Sequence, residues 1–273
     1  MLRRECALVY LLGGLSQRFG GKIKALVRVG QRGEALIEVS LQQAVQADFT
    51  RIVFVVSGAT RKAFEQAYGN TYEGIPLLYA LQAYDATSRD KPWGTADALC
   101  AAAPFLDCPF VVCNGDDLYG TQAFVMAVQH LLSSDEHAIV GYCLRDVLPR
   151  QGSVNRAIVE VGHGGIVKSI REELGLSREQ LGARGISPDA WCSMNFFGLH
   201  PAGLREIRVR VKEFRAAHAE DRKSECLLPA EIDALIRGGK MDVRFLAALE
   251  RWIGVTYPED VETVRAELSL EAR

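Results

Sequence analysis

The chain of 273 residues lacks the features that mark several whole classes of function. No apolar run approaches the ~20 residues that a membrane-crossing helix needs. Met1-Leu2-Arg3-Arg4-Glu5 leads straight into a buried-strand pattern, so no membrane partner and no cleavable leader is expected. Charge of one sign is not in excess. Lys and Arg are spread along the sequence and the formal net charge is -2, which gives no electrostatic footprint for a nucleic-acid backbone. There is no C-x-x-C pair and no His at a zinc-ligand spacing from a Cys. The seven cysteines, Cys6, Cys100, Cys108, Cys113, Cys143, Cys192 and Cys226, are odd in number and scattered through apolar segments. They read as reduced, buried thiols of a cytoplasmic protein, not as a disulfide framework or a zinc site. Linkers rich in Pro or Ser and internal repeats are missing too. His130, His137, His163, His200 and His218 show no ligand pattern, and most of them read as surface or turn residues.

What is present is the composition of an ordinary globule, 48% hydrophobic and 24% charged, long enough to bury a sizeable core. Short unbroken apolar runs at Ala7 to Leu12, Ile52 to Val56, Pro76 to Leu81 and Phe110 to Cys113 suit strands covered on both faces. Helical periodicity follows each of them, at Ala35 to Ala47, Arg61 to Tyr68, Thr95 to Ala103 and Gln122 to Leu132, with Thr60 and Thr121 expected as N-caps. Four strand-helix repeats predict a doubly wound, mostly parallel α/β sheet whose ligands bind at the carboxyl ends of strands.

The second half is more mixed. Ala138 to Leu144, Ala157 to Val161, Ile166 to Ile170, Ser193 to Leu199 and Val243 to Leu246 read as strands, with a hairpin turn at Gly162 to Gly165. Leu204 to Ala217, Leu227 to Arg237 and Pro258 to Leu268 read as helices, and residues 173–190 as an exposed excursion. The expectation is a single domain over 1–273, with a nucleotide-binding half at 1–136 and a smaller α+β acceptor-binding portion at 137–273.

Three strand-end loops could carry chemistry. The first, Gly13-Gly14-Leu15-Ser16-Gln17-Arg18-Phe19-Gly20-Gly21-Lys22-Ile23-Lys24, follows a buried strand. Its glycines let backbone N–H groups approach phosphate oxygens, and Arg18 and Lys24 can neutralise them. It is neither a Walker loop nor a dinucleotide fingerprint. The second, Asn114-Gly115-Asp116-Asp117, brings two carboxylates to the mouth of the sheet, where a hard cation such as magnesium would relieve their repulsion and bridge to phosphates. Helix capping by either Asp is the plainer alternative. The third runs from Gln82, whose amide can read a base edge, to Lys91-Pro92-Trp93-Gly94-Thr95-Ala96. There Gly94 would admit a planar ring and Trp93 could cover a base, while Trp191 and Trp252 read as core.

Taken in order, L-L-G-G-L-S-Q-R-F-G at 11 to 20 with Lys24, K-P-W-G-T-A-D-A-L at 91 to 99, V-C-N-G-D-D-L-Y-G at 112 to 120, S-M-N-F-F-G-L-H-P at 193 to 201 and W-I-G-V-T-Y-P-E-D at 252 to 260 resemble the sugar-nucleotide pyrophosphorylases. These are sugar-1-phosphate nucleotidyltransferases of the NTP-transferase family. The resemblance implies a Rossmann-like, GT-A-like nucleotidyltransferase fold, a Mg²⁺ cofactor, and an NTP and a phosphorylated small molecule as partners. A homo-oligomer is compatible with it.

By position, it places the triphosphate on Gly13, Gly14, Leu15 and Ser16, with Arg18 and Lys24 as the catalytic cations. It puts Gln82, Gly94, Thr95 and Asn114 around the nucleotide and Asp116 on the metal, with Thr256 or Asp260 as a second ligand. Asp117, Glu172 and Asn195 fall on the acceptor side. Departures from the family pattern are Ser16 for a glycine, Ile23 for a proline before the lysine, Ala157 for a glycine near the sugar, and Gly254-Val255-Thr256 where many members carry a second metal-binding aspartate, which leaves Thr256 or Asp260 to serve. The implied reaction is in-line attack of an acceptor phosphate on the α-phosphorus with release of pyrophosphate, driven by positioning and charge neutralisation. A phosphorylated alcohol such as phosphocholine as acceptor, a glycosyltransferase on a similar fold, and a catalytically inactive nucleotide-binding regulator are the alternatives.

Overall fold

The computed structural model describes residues 4–14, 20–149, 151–255 and 260–271. The first half alternates strands and helices: β1 (Ala7–Leu11), α1 (Leu36–Ala44), β2 (Arg51–Val56), α2 (Arg61–Tyr68), a two-residue β3 (Thr71–Tyr72), β4 (Ile75–Leu81), α3 (Thr95–Ala101), β5 (Phe110–Asn114), a short β6 (Asp117–Leu118) and α4 (Thr121–Ser133). The second half contributes β7 (His137–Cys143), α5 (Leu144–Val147), β8 (Val154–Val161), β9 (Val167–Leu176), β10 (Trp191–Leu199), α6 (Pro201–Ala217), α7 (Leu228–Arg237), β11 (Val243–Ala247), β12 (Ile253–Gly254) and α8 (Asp260–Glu271).

One large sheet runs through both halves in the order β11-β7-β10-β5-β1-β2-β4-β3. It is mostly parallel: β1 pairs in parallel with β2 and β5, β2 with β4, and β7 with β11, whereas β10 lies antiparallel between β5 and β7. The apolar runs are unbroken because both faces are covered. Leu8, Tyr10 and Leu12 point into a core with Ile37 and Leu41 of α1 and Phe124 and Ala127 of α4. Ala7 and Val9 point into another with Leu99 of α3, Ile207 of α6 and Ile232 of α7. A small third cluster, with Val29, Leu118, Ile253 and Val264, fixes α8 and the β6/β12 ribbon to the start of α1.

Strand β10 forks the sheet. Its first residues, Trp191 to Ser193, pair with β8, and its last, Phe197 to Leu199, pair with β5, while β7 follows its other edge with an irregularity between Ser193 and Phe197. At the fork stands Asn195 with φ 63, in the left-handed region that a non-glycine residue rarely adopts. The hairpin of β8 and β9 therefore diverges from β5 and opens a cleft beyond the parallel strands.

Several expectations from sequence are corrected. Thr121 is the first residue of α4, not its cap; the cap position is Gly120 at φ 83. Thr60 occupies the cap position of α2, but its hydroxyl accepts from the Ser57 amide and donates to the Leu12 carbonyl, tying two strand ends together. Residues 173–176 belong to β9, and the excursion beyond them folds back so that Leu181 and Ile186 are buried. Helix α6 begins at Pro201, whose ring suits a first helical turn. His137 is not a surface residue: it is 8% exposed at the start of β7.

The His137 Nδ1 accepts the His200 amide at 3.1 Å. Burial, with His200 and His130 nearby, lowers its pKa to about 4. An imidazole that titrates near ~6.5 in the unfolded chain then binds its proton more tightly when unfolded, so this contribution to stability is intact above that value. It declines as pH falls toward 4, by up to roughly 3 kcal/mol. His137→Gln, which keeps an acceptor for the His200 amide, should lose less stability than the unmodified protein between pH 7 and pH 4.5 in urea titrations. Parallel losses would show that His137 is not the group responsible.

Candidate active site

Strands β1, β2, β4 and β5 run parallel, and the loops after β1, β4 and β5 line two connected cavities. The smaller, about 270 Å³, is walled by Gly13, Gly14, Ile23, Lys24, Gln82, Gly94, Thr95, Asn114 and Asp116. The larger, about 730 Å³, continues past the fork to Asp117, Asn155, Arg156, Glu172, Asn195 and Trp252. Both share Gly14, Lys24, Thr95, Asn114 and Asp116, so these five residues mark the junction.

At the junction Lys24 Nζ lies 2.9 Å from Asp116 Oδ2. Burial alone would lower the Lys24 pKa, but Asp116 and Asp117, with a further contribution from Asp260, raise it instead, so the ammonium stays charged. Asp117 is buried on β6, where its backbone pairs with Gly254 of β12. Burial first, and then the neighbouring Asp116, raise its pKa to about 6 against the opposing effects of Lys24, Asn114 and Arg156. The donors gathered here are carboxylate oxygens crowded beyond what one lysine neutralises, a chemistry suited to a hard divalent cation.

A chain of side-chain hydrogen bonds leads from the carboxylates into the larger cavity. Asn114 Nδ2 donates to Asp117 Oδ2 at 2.9 Å, and Asn195 Nδ2 donates to Asn114 Oδ1 at 2.7 Å. Tyr119 steadies the floor by donating its hydroxyl proton to the Met194 carbonyl at 2.9 Å. The Asn195 Oδ1 is buried with no partner among the described residues. An acceptor left open beside a cleft, on a residue held in strained backbone, suits a ligand donor such as a hydroxyl. Across the cleft Glu172 sits opposite Ala157 in the β8/β9 ladder, its pKa raised by its surroundings against the pull of Arg156.

The wall of the smaller cavity is clamped from a distance. Gln82 Nε2 donates to the Gly94 carbonyl at 3.0 Å and to Asp97 Oδ2 at 2.9 Å, and Arg215 pairs with the other Asp97 oxygen. The amide orientation is thereby set, and Gln82 Oε1 faces Gly13. Arg89, 2% exposed, donates to the carbonyls of Lys91, Asp221 and Ser224 and lays its guanidinium 3.4 Å from the centre of the Trp93 ring. Trp93 is thus covered by Arg89 and approached edge-on by Phe214, so it does not offer an open face to a base. Thr95 lines both cavities, and its hydroxyl accepts the Leu228 amide at 2.9 Å. Gly94 has φ 100, and a Cβ there would stand 2.5 Å from the Cys226 carbonyl oxygen. Its lack of a side chain lets residues 93–96 bond to Cys226 through backbone groups.

Gly13, Gly14, Lys24, Gln82, Gly94, Thr95, Asn114 and Asp116 therefore come together, as do Asp117, Glu172 and Asn195 in the adjoining cavity. Asp260 lines a third cavity of about 690 Å³ that adjoins the cleft through Arg156 and Trp252. Leu15, Ser16, Arg18 and Thr256 lie outside the described residues. Among the described residues, the grouping of three metal-ligating side chains is Glu5, Asp107 and Cys108, before β1 and β5 at the opposite edge of the sheet. Arg51 pairs with both of those carboxylates. Arg156, Asp97 and Arg89 were not singled out by the sequence. Asp97 sits inside the 91-to-99 block, and its place one turn after Gly94 was the available signal; Arg156 and Arg89 carry none in their spacing.

The family model for nucleotidyl transferases matches residues 20–172. A search by sequence among curated proteins gives no match. Among solved structures the chain is similar to a Bacillus anthracis protein described as a glucose-1-phosphate thymidylyltransferase, determined in complex with sucrose. The TM-score is 0.68 at 13% identity, with 96% of this chain and 95% of that chain covered. It is similar to the inositol-1-phosphate CTP transferase of T. maritima, with TM-score 0.67, 15% identity, and 97% and 96% covered. It is also similar to HddC from Yersinia pseudotuberculosis complexed with GMP-PN, with TM-score 0.62, 19% identity, and 96% and 98% covered. At these identities the likeness is one of fold.

Gly94→Ala should lower stability by roughly 2–4 kcal/mol, because the new methyl group meets backbone at a positive φ. Thermal or urea unfolding reads this directly; a change under about 0.5 kcal/mol would mean that the clamp tolerates a side chain.

Proposed function

The chain belongs to the nucleotidyl transferase family, and from that premise we propose that it joins an NTP to a sugar 1-phosphate, releasing pyrophosphate and an NDP-sugar. The observation that carries the proposal is the charged Lys24 beside Asp116 at the junction of the two cavities. A reaction between two phosphates needs cationic charge where their oxygens meet, and Lys24 at the junction would supply it.

In this reading residues 1–136 hold the NTP and residues 137–273 complete the acceptor side, within one domain. The triphosphate follows Gly13 and Gly14 and, by the sequence pattern, Leu15, Ser16 and Arg18. Gln82 presents its Oε1 to an N–H group on the base edge, since its Nε2 is already committed to Gly94 and Asp97. Lys24 sits between the α-phosphate and the acceptor phosphate and holds both near the in-line geometry. Magnesium would be held by Asp116, with Asp117, Thr256 or Asp260 as further oxygen donors. When bound it supplies charge neutralisation to the triphosphate and the departing pyrophosphate. Asn195 Oδ1 and the Glu172 carboxylate accept hydrogen bonds from acceptor hydroxyls. A quaternary ammonium such as that of phosphocholine fits less well, because a guanidinium already stands over Trp252.

The protein is to be mixed with Mg²⁺, each NTP and a panel of sugar phosphates, and pyrophosphate measured. Lys24→Ala and Asp116→Ala should each reduce kcat/KM by at least ~100-fold, or about 3 kcal/mol of transition-state stabilisation, and omission of the divalent ion should stop release. If both variants turn over like the unmodified protein, the assigned roles are wrong. NTP binding with no turnover on any acceptor would favour a regulatory protein instead.

A further inference from the structure

Among the described residues the cleft wall holds two cations, Lys24 and Arg156, and they are in opposite situations. Lys24 has a carboxylate partner at 2.9 Å. Arg156 is sunk into the wall shared with the third cavity and forms no ion pair among the described residues. Its Nε and Nη2 donate to the Val147 carbonyl at 3.2 and 2.7 Å, and its Nη1 donates to the Asn155 carbonyl at 3.0 Å. The guanidinium lies 5.4 Å from the centre of the Trp252 ring. Of the five N–H groups of a guanidinium, three are thereby used to fix its position. The net positive charge is left to be met by something else. Asp117 and Glu172 influence it from a distance without pairing with it, and burial depresses its pKa.

A positioned, half-buried cation without an ion-pair partner among the described residues is a favourable place for an anion to arrive. That anion is not the reacting phosphate, which must lie at the junction beside Lys24. Lys24 stands where the larger cavity meets the smaller one and Arg156 where it meets the third, so the two cations mark different sides of the cleft. The same cleft is lined by Asn195, whose Oδ1 has no partner among the described residues, and by the Glu172 carboxylate, both acceptors that suit hydroxyl groups. We propose that Arg156 is a specificity-determining residue, and that the acceptor carries a second acidic group, carboxylate or phosphate ester, at the end of the molecule remote from the phosphate that reacts. The acceptor class is then a phosphorylated sugar acid or a sugar bisphosphate. This inference rests on the nucleotidyltransferase reading of the same cleft.

The test compares matched hexose 1-phosphates, uronic acid 1-phosphates and hexose 1,6-bisphosphates of gluco, manno and galacto configuration, with every NTP and Mg²⁺. In the unmodified protein at least one acidic acceptor should exceed its neutral counterpart thirtyfold or more in kcat/KM; its being the carboxylate or the bisphosphate identifies the group. In Arg156→Gln that ratio should fall below threefold, and direct titration of the same acidic acceptor should show at least tenfold weaker binding. Arg156→Lys, which keeps the charge, should retain part of the preference, and it decides the matter with the unmodified ratio should Arg156→Gln fail to fold. Equal use of neutral and acidic acceptors, or a preference unchanged in Arg156→Gln, overturns the role of Arg156 while leaving nucleotidyl transfer standing. Arg156-dependent binding of an acidic probe without pyrophosphate release would overturn the reaction and leave the anion site. Neither binding nor release would remove both.

Discussion

The pairing of β10 is the constraint on which the site depends. Its backbone groups must be satisfied along both edges, yet one edge is divided between β8 and β5. The chain changes partner through an irregular segment in which Asn195 takes a left-handed conformation, at a cost of order 1–3 kcal/mol. Without that switch β8 and β9 would continue the sheet beside β5, and no cleft would open past the carboxylates. The strained residue is also the one whose side chain reaches back to Asn114, so the distortion that opens the cleft also orients its floor.

From Asn195 the order passes to Asn114, to Asp117 and to the Lys24–Asp116 pair. Asp117 is buried and the two asparagines are half-buried, so their hydrogen bonds are shielded from competing water, while Asp116 remains open to solvent. Asp117 is fixed both by its side chain and by the short β6/β12 ribbon, which brings the Trp252 segment to the same place. Two far-separated stretches of chain thereby meet at one acidic spot, and the crowding of negative charge there matches the needs of a polyphosphate accompanied by its cation.

Much of this was legible in the sequence. The unbroken apolar runs gave β1, β2, β4 and β5 because a strand covered on both faces has no polar side to display, and α2 matches the expected span Arg61 to Tyr68. Strand-end logic grouped Gly13, Lys24, Gln82, Asn114 and Asp116, which do line connected cavities. What they do there is the proposal made above. Gly120 escaped notice because a positive φ leaves no mark in polarity. Arg156 escaped because its meaning comes from what it lacks, a carboxylate partner, which only the packing of β8 against α5 and Trp252 reveals. Arg89 reads as one more polar residue in a loop until the chain around residue 222 is brought beside it.

That last junction bears on how the molecule is assembled. Arg89, Asp90, Lys91, Trp93 and Thr95 are fastened to residues 221–228, more than a hundred positions later. A nascent polypeptide emerging from the ribosome could assemble every parallel strand from β1 to β5 while the side of the cleft behind Gln82 still lacked its buckle. Closing so long a loop is entropically slow. The wall built from Gln82, Gly94 and Thr95 is therefore among the last parts to set, and the window in which an incomplete chain could present a half-built cavity is kept short by the position of its own fastening.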